Sequence, residues 1–282
     1  MILLTRLAAV AIQAAAEGGG PSATVSVDLG RTRTELPLDA GTVWFPDGQS
    51  LRVDALDRVV EDPDSVYMVM DDELAKVSWF APETDKVYTL RPTGSWPALE
   101  ISGILMHRIK DTDPKADAAS KIATIAPTRG RGLETCCGLG YSAILGARTA
   151  DRVTAFEIDP EVLRMTRLNP YSQPLYQEGG KIDVRNEDIL DAIPDLPDRA
   201  FDYVIHDPPT LAVAGDLYGD DFYRQLLRVL RPGGKLFHYT GDPGSRSRRQ
   251  DLPGSVKHRL STLGFERVRL EPAALGVSAR TP

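Results

Sequence analysis

Between Thr24 and Pro92 the chain alternates apolar and polar positions over short spans, the period expected of half-buried strands. Thr24–Leu29 places Val25, Val27 and Leu29 on one face, and Val43–Phe45 runs into the turn signal Pro46-Asp47-Gly48. Leu51–Val53, Val66–Met70, Ala75–Phe80 and Lys86–Leu90 supply further strands, with Asp71-Asp72 as a hairpin turn. Residues 21–97 are therefore expected to form a small antiparallel β domain. The run Glu17-Gly18-Gly19-Gly20-Pro21 breaks the pattern before it, which sets residues 1–20 aside as an N-terminal extension. Pro92–Pro97 is a loop, and residues 98–128 form a connecting segment whose second half, Asp111–Ala126, takes helical spacing.

From Arg129 onward the period itself alternates. Strands are expected at Leu133–Cys137, Arg152–Ile158, Lys181–Arg185, Phe201–Ile205 and Leu236–Tyr239, with two more near Phe265–Leu270 and Leu275–Ala279. Between them lie helices at Tyr141–Arg148, Pro160–Asn169, Asp191 onward, Asp220–Leu230 and Pro253–Leu263. Such alternation predicts an α/β domain over residues 129–282, a mainly parallel Rossmann-like sheet with helices on both faces. Ligands of such sheets bind at the carboxyl ends of the strands. Four carboxylates fall at or near those ends: Glu134, Glu157, Asp188 and Asp207. Gly138 and Gly140 supply a tight turn between the first strand and its helix, where backbone can approach a ligand closely. An acid at Glu157, roughly twenty residues beyond that turn, is placed to hold the hydroxyls of a ribose.

These residues carry a resemblance. From about Arg129 to the C-terminus the chain resembles the class I S-adenosylmethionine-dependent methyltransferases. Glu134-Thr135-Cys136-Cys137-Gly138-Leu139-Gly140 stands where that family has its acid-led glycine motif, with Cys136 in place of the first glycine. Asp207-Pro208-Pro209 matches the fourth motif, and Arg231-Pro232-Gly233-Gly234 matches the turn before the fifth strand. Ile101–Arg108, Asn169-Pro170-Tyr171-Ser172, His206–Pro209 and Leu236–Gly241 are similar to a mainly archaeal family of methyltransferases of unknown substrate. The resemblance implies S-adenosyl-L-methionine as cofactor and a closing antiparallel strand. It also implies a cofactor set of Glu134, Cys136, Gly138, Gly140, Glu157, Ile158, Asp188 and Ile189, with Glu157 on the ribose and Asp188 near the adenine.

The chemistry narrows the second set. Methyl transfer from a sulfonium needs alignment and desolvation more than acid or base help at carbon. An amine acceptor needs its N–H groups accepted, and the Asp207 carboxylate with the Pro208 carbonyl suits that task. Each proline fixes φ and adds no donor, so Asp207, Pro208 and Pro209 form a rigid acceptor loop. His206 is a candidate general base or a strand cap. The aromatic residue that follows the two prolines in base-specific enzymes is replaced by Thr210, which leaves Tyr171, Tyr218 and Tyr223 as alternative stacking platforms. His107 and Lys121 lie upstream of the first sheet strand; Lys121 is expected to face solvent, with a cofactor carboxylate as its alternative partner.

Composition changes the picture in three places. The net charge of −7 disfavours broad attraction to phosphate backbones, although Arg246, Arg248 and Arg249 cluster locally. Cys136 and Cys137 are the only cysteines; their adjacency fits neither a disulfide nor zinc spacing, so no metal is expected, and they suit a reducing cytoplasm. Met1–Ala16 is apolar and alanine-rich but lacks the basic start of a secretory signal, and no run approaches a membrane span. The expected partner is a methyl acceptor (small amine, RNA or protein), with a homo-oligomer also compatible. Three function classes remain: an N-methyltransferase, a polyamine-type aminopropyltransferase using the decarboxylated cofactor, and a non-catalytic cofactor sensor. A nicotinamide dehydrogenase fits less well, because Ala143 stands where its third glycine belongs.

Overall fold

A computed structural model describes residues 1–241 and 251–282 of the chain, so the Arg246, Arg248 and Arg249 cluster lies outside the described residues. The described residues divide into two compact units, Met1–Pro114 with Leu168–Pro170, and Lys115–Arg167 with Tyr171–Pro282.

The first unit is built from short antiparallel strands: β1 (Ile2–Leu4), β2 (Ser22–Val25), β3 (Thr34–Asp39), β4 (Thr42–Trp44), β5 (Ser50–Arg52), β6 (Tyr67–Met70), β7 (Glu73–Lys76), β8 (Ser78–Ala81), β9 (Lys86–Arg91), β10 (Ala98–Ile101) and β11 (Ile104–Leu105). They form three sheets, ordered β1-β6-β7, β2-β3-β4-β5 and β11-β10-β9-β8. Asp71 and Asp72 both take positive φ, 53° and 61°, which is what a two-residue hairpin turn between Met70 and Glu73 requires. The expected single strand Ala75–Phe80 is two strands in different sheets. Val77 separates them: its N–H donates to Val66 O at 2.8 Å, and its carbonyl accepts from Leu90 N at 3.0 Å.

Residues 1–20 are part of this unit and not an extension outside it. Ile2–Leu4 pairs antiparallel with Tyr67–Val69, and α1 (Arg6–Glu17) follows. Alanine-rich sequence favours the helix, and Ala8, Ala9 and Ile12 turn inward beside Leu4, Leu36, Val43, Leu56 and Val59. Gly18 closes the helix and Gly19, at φ 68°, reverses the chain, so the glycine run is a helix stop. A short helix, α2 (Asp57–Glu61), also contributes Val59 to this core. His107 is tied to β10, its Nδ1 accepting from Leu99 N at 3.2 Å.

The second unit opens with α3 (Pro114–Ile125). It continues with β12 (Arg131–Glu134), α4 (Tyr141–Gly146), β13 (Arg152–Phe156), α5 (Pro160–Leu168), β14 (Ile182–Arg185), α6 (Ile189–Ala192), β15 (Phe201–His206), α7 (Asp220–Val229), β16 (Leu230–Tyr239), α8 (Leu252–Thr262), β17 (Glu266–Glu271) and β18 (Gly276–Arg280). The sheet order is β14-β13-β12-β15-β16-β18-β17. β12 through β16 pair in parallel, and β18 runs antiparallel to both of its neighbours. The Rossmann-like sheet with a closing antiparallel strand is thus present. Its cores are continuous apolar layers: Leu133, Val204 and Leu236 meet Phe222, Tyr223, Leu226 and Val229 of α7.

The helix expected in the connecting segment belongs to this sheet unit. Ile125 of α3 is buried with Val153, Tyr203, Ile205 and Phe237, so the unit begins near residue 115 instead of 129. No helix among the described residues is long and apolar enough to cross a membrane.

Candidate cofactor and catalytic site

The site is built at the carboxyl ends of β12, β13 and β15. After Glu134 the chain leaves β12 with Thr135 N donating to Ile205 O at 3.1 Å and Cys137 N donating to Phe156 O at 2.7 Å. The turn between them and α4 carries two positive φ values, 54° at Gly138 and 78° at Gly140. At Gly140 a Cβ would come within 2.5 Å of Leu175 Cδ1, so both backbone angle and packing demand glycine there. A Cβ on Gly138 would meet nothing within 4 Å, and this open side is where a ligand can approach the backbone.

Glu157 holds this turn. Its Oε2 accepts from Gly138 N at 2.7 Å, and its Oε1 accepts from Asp159 N at 3.0 Å. Burial pushes its carboxyl up, and these backbone hydrogen bonds oppose the rise. Next to it, Ile158 is 62% exposed, an apolar side chain left open to solvent at the end of β13. Asp188 caps α6, accepting from Leu190 N at 2.9 Å. Ile189 instead faces the core with Phe156 and Ile193, which removes its side chain from the cofactor set. Burial also pushes the Cys136 and Cys137 thiols well above their usual range, so both act as neutral packing groups.

Glu134 is the unusual member. It is 2% exposed, and its Oε2 has no hydrogen-bond partner among the described residues. Burial raises its carboxyl well above the ordinary value, the Asp207 charge adds to the rise, and Lys121 opposes it. A buried acceptor left without a donor is costly unless a ligand supplies one. The cationic amino and sulfonium groups of S-adenosylmethionine fit an orphaned carboxylate of this kind.

Beside Glu134 lies a charged triad that the sequence did not disclose. Lys121 Nζ reaches Asp207 Oδ2 at 2.6 Å and Asp117 Oδ2 at 2.9 Å, and sits 4.3 Å from the Tyr239 ring centre. Its side chain is 8% exposed, so the expected solvent-facing lysine is a buried cation held between two carboxylates. Those two partners raise its affinity for the proton against the cost of burial. Asp207 keeps 23% of its side chain exposed and is the triad member open to a second partner. Burial pushes its carboxyl up, and Lys121 pulls it back. The Asp117-x-x-x-Lys121 spacing puts two members of the triad one helical turn apart on α3.

Pro208 is buried and Pro209 exposed. The Tyr218 hydroxyl donates to Pro209 O at 2.9 Å, which fixes the loop and consumes the carbonyl after the second proline. Tyr218 and Tyr223 are core residues and not stacking platforms; the Tyr223 hydroxyl is bonded to His238 Nε2 at 2.9 Å. Tyr171 alone of the three is half-buried.

His206 leaves the catalytic set. Its ring is fully buried, Nδ1 bonding Thr135 Oγ1 at 2.7 Å and Nε2 bonding Leu217 O at 2.9 Å. Burial drives its pKa down to about 3, so it stays neutral throughout the working range. Because the folded value is depressed, its contribution to stability is complete above pH ~6.5 and is lost as pH falls toward 3. The imidazole resonances of His206 are expected to show no titration between pH 5 and 8 by NMR; a midpoint near 6.5 would contradict this placement.

Residues 133–234 match the model of a methyltransferase domain. Over 263 residues the chain is 41% identical to the uncharacterized protein MJ1233 of Methanocaldococcus jannaschii, covering 92% of this chain and 89% of that one. The chain belongs to this archaeal protein's family and carries a class I methyltransferase domain. A shorter stretch of 116 residues is 30% identical to polyamine aminopropyltransferase 2 of Streptomyces coelicolor, covering 39% of this chain and 21% of the relative. Among solved structures, a spermidine synthase in complex with a transition-state analogue shares the fold with a TM-score of 0.52 at 15% identity, over 76% of this chain and 77% of that one. The domain has the fold of the S-adenosylmethionine-dependent transferases.

Glu157→Ala removes the carboxylate that ties down the glycine turn and that is expected to hold the cofactor's ribose. Cofactor affinity is expected to fall at least about tenfold, read by calorimetric titration. Unchanged affinity would remove Glu157 from the binding set.

Proposed function

We propose that the protein transfers a methyl group from S-adenosylmethionine to the nitrogen of an amine, amide or base held at Asp207-Pro208-Pro209. The observation that carries this reading is Asp207 itself, fixed by Lys121 at 2.6 Å while its side chain remains partly open. S-adenosylmethionine supplies a carbon made electrophilic by the neighbouring sulfonium. Glu157 and Asp188 orient the nucleoside end, and Glu134 meets the positive charge of the amino acid end. Asp207 accepts an N–H of the incoming nitrogen and aims its lone pair in line with the S–CH₃ bond. As the N–C bond forms and the C–S bond breaks, the bonding pair leaves with sulfur, and the surplus proton on nitrogen passes to Asp207. A carboxyl raised by burial is better matched to that proton than an exposed one.

One observation favours a second reading, aminopropyl transfer from the decarboxylated cofactor. Lys121 is already shared by Asp117 and Asp207, so this cation is committed before any cofactor carboxylate arrives. Glu134 and Asp207 then present acid to a chain that ends in an amine. Identity to the polyamine aminopropyltransferase supports the same alternative. The deciding experiment incubates the protein with each cofactor and pools of amines, RNA and protein, and weighs the products. Gain of a methyl supports the first reading, and gain of an aminopropyl group replaces it with the second. No product from either cofactor would leave a cofactor sensor.

A further inference from the structure

The second unit carries a cluster of positive charge that the transfer reaction does not use. A cavity of about 190 Å³ is lined by Lys235, Arg267, Arg269 and Arg280, with Thr124 and Ile125 from the end of α3 and a single acid, Glu271. In a chain of net charge −7 this is a local reversal of sign. Among the described residues of the unit, Arg164, Arg185, Arg224, Arg228, Arg231 and Arg259 each contact a carboxylate within 4 Å. Arg267, Arg269 and Arg280 have no ion-pair partner among the described residues. Glu271 turns its Oε1 to Ser278 Oγ at 2.6 Å, and Glu266, opposite Arg280 in register, makes no ion pair with it.

The strand register concentrates the charge. Lys235 of β16 lies directly opposite Arg280 of β18, and like charges in that relation repel. Arg269 sits opposite Ser278 on the next pair, which brings β17 cations to the same opening. Lys235 is anchored by donating to Ile125 O at 2.8 Å and Pro127 O at 2.9 Å. Its affinity for the proton is lowered by burial first and then by the charges of Arg280 and Arg129. A second cavity, of about 280 Å³, shares Lys235 and adds Arg129, with Arg231 held there in its ion pair to Asp202. Arg267 holds a positive φ of 52° at the bulge before Arg269, a backbone position that costs an arginine roughly 1 kcal/mol.

This place is distinct from the transfer site. Lys235 begins the part of β16 that pairs with β18, and Tyr239, under Lys121, ends it; four residues of strand separate the two by about 13 Å.

We propose that this cavity is a binding site for a phosphate-bearing ligand, held by the forked guanidiniums of Arg267, Arg269 and Arg280 around Lys235. Arginine suits the role because its planar donors match phosphate oxygens bidentately. The small size of the open cavity and the acidic remainder of the chain favour a phosphate ester or short polyphosphate, and a nucleic-acid backbone offers the same chemistry.

Calorimetric titration of the full chain with inorganic tripolyphosphate, and separately with a single-stranded oligoribonucleotide, tests the site at low and physiological salt. Wild-type protein should bind, with affinity falling as salt rises. The double variant Arg267→Gln with Arg269→Gln, both exposed, should bind at least about tenfold more weakly. Arg224→Gln, whose paired side chain lies on α7, should behave as wild type. Tripolyphosphate binding alone assigns a small ligand, and tighter oligonucleotide binding lost in the double variant assigns a nucleic acid. Equal binding by wild type and the double variant, or none by wild type at low salt, overturns the proposal. None of these readouts depends on the transfer reaction.

Discussion

Asp207→Asn is expected to lower kcat by about 10²–10⁴-fold while leaving cofactor affinity largely unchanged. The substitution keeps the shape of the side chain and an oxygen for Lys121, whose other carboxylate, Asp117, remains at 2.9 Å. The buried lysine therefore stays paired, and the fold is retained. What disappears is the negative oxygen that accepts the N–H of the nucleophile and takes its proton. Because Asp207 lies at the end of β15 and the turn residues lie after β12 and β13, binding and turnover separate in this variant. Turnover at the wild-type rate would mean that the Asp-Pro-Pro loop is scaffold.

Lys121→Met should have the second large effect, and on two readouts at once. Removing one partner of a buried ion pair typically costs about 3–5 kcal/mol, and here two carboxylates lose their only shared cation. Denaturant unfolding should register that loss. The pH profile should also move. Lys121 holds the Asp207 carboxyl down against burial and against Asp117, so its removal raises the pH at which Asp207 ionises. The acid limb of kcat is then displaced to higher pH, a shift that a merely structural lysine would not produce. Restoring part of the stability with Asp117→Leu in the same background would confirm that the loss is electrostatic. A variant of normal stability and unmoved pH profile contradicts the triad.

Much of this arrangement was readable from the chain, for identifiable reasons. The sheet of the second unit follows from a change of hydrophobic period that repeats with each strand and helix, a local property. Gly138, Gly140, Glu157 and Asp188 fall where they were expected because glycine turns and strand-end acids are set by neighbours in sequence. The buried placement of His206 follows from its context. It follows the apolar run Phe201–Ile205 on a central strand, and a histidine there is carried inward with its neighbours. Lys121 was hidden for a different reason: its partner Asp207 is 86 positions away, and nothing local distinguishes a paired lysine from a solvated one. The N-terminal segment reads as separate because the glycine run beside it has the composition of a linker. Its role is fixed by β1 pairing with a strand more than sixty residues on, a contact that local pattern does not encode.

The most direct test of the central claim is calorimetric titration of the purified protein with S-adenosylmethionine and its decarboxylated form in parallel. The account predicts binding with preference for the intact cofactor, weakened by Glu157→Ala and retained in Asp207→Asn. Binding of neither sulfonium would contradict it, leaving the glycine turn and its carboxylates as scaffold.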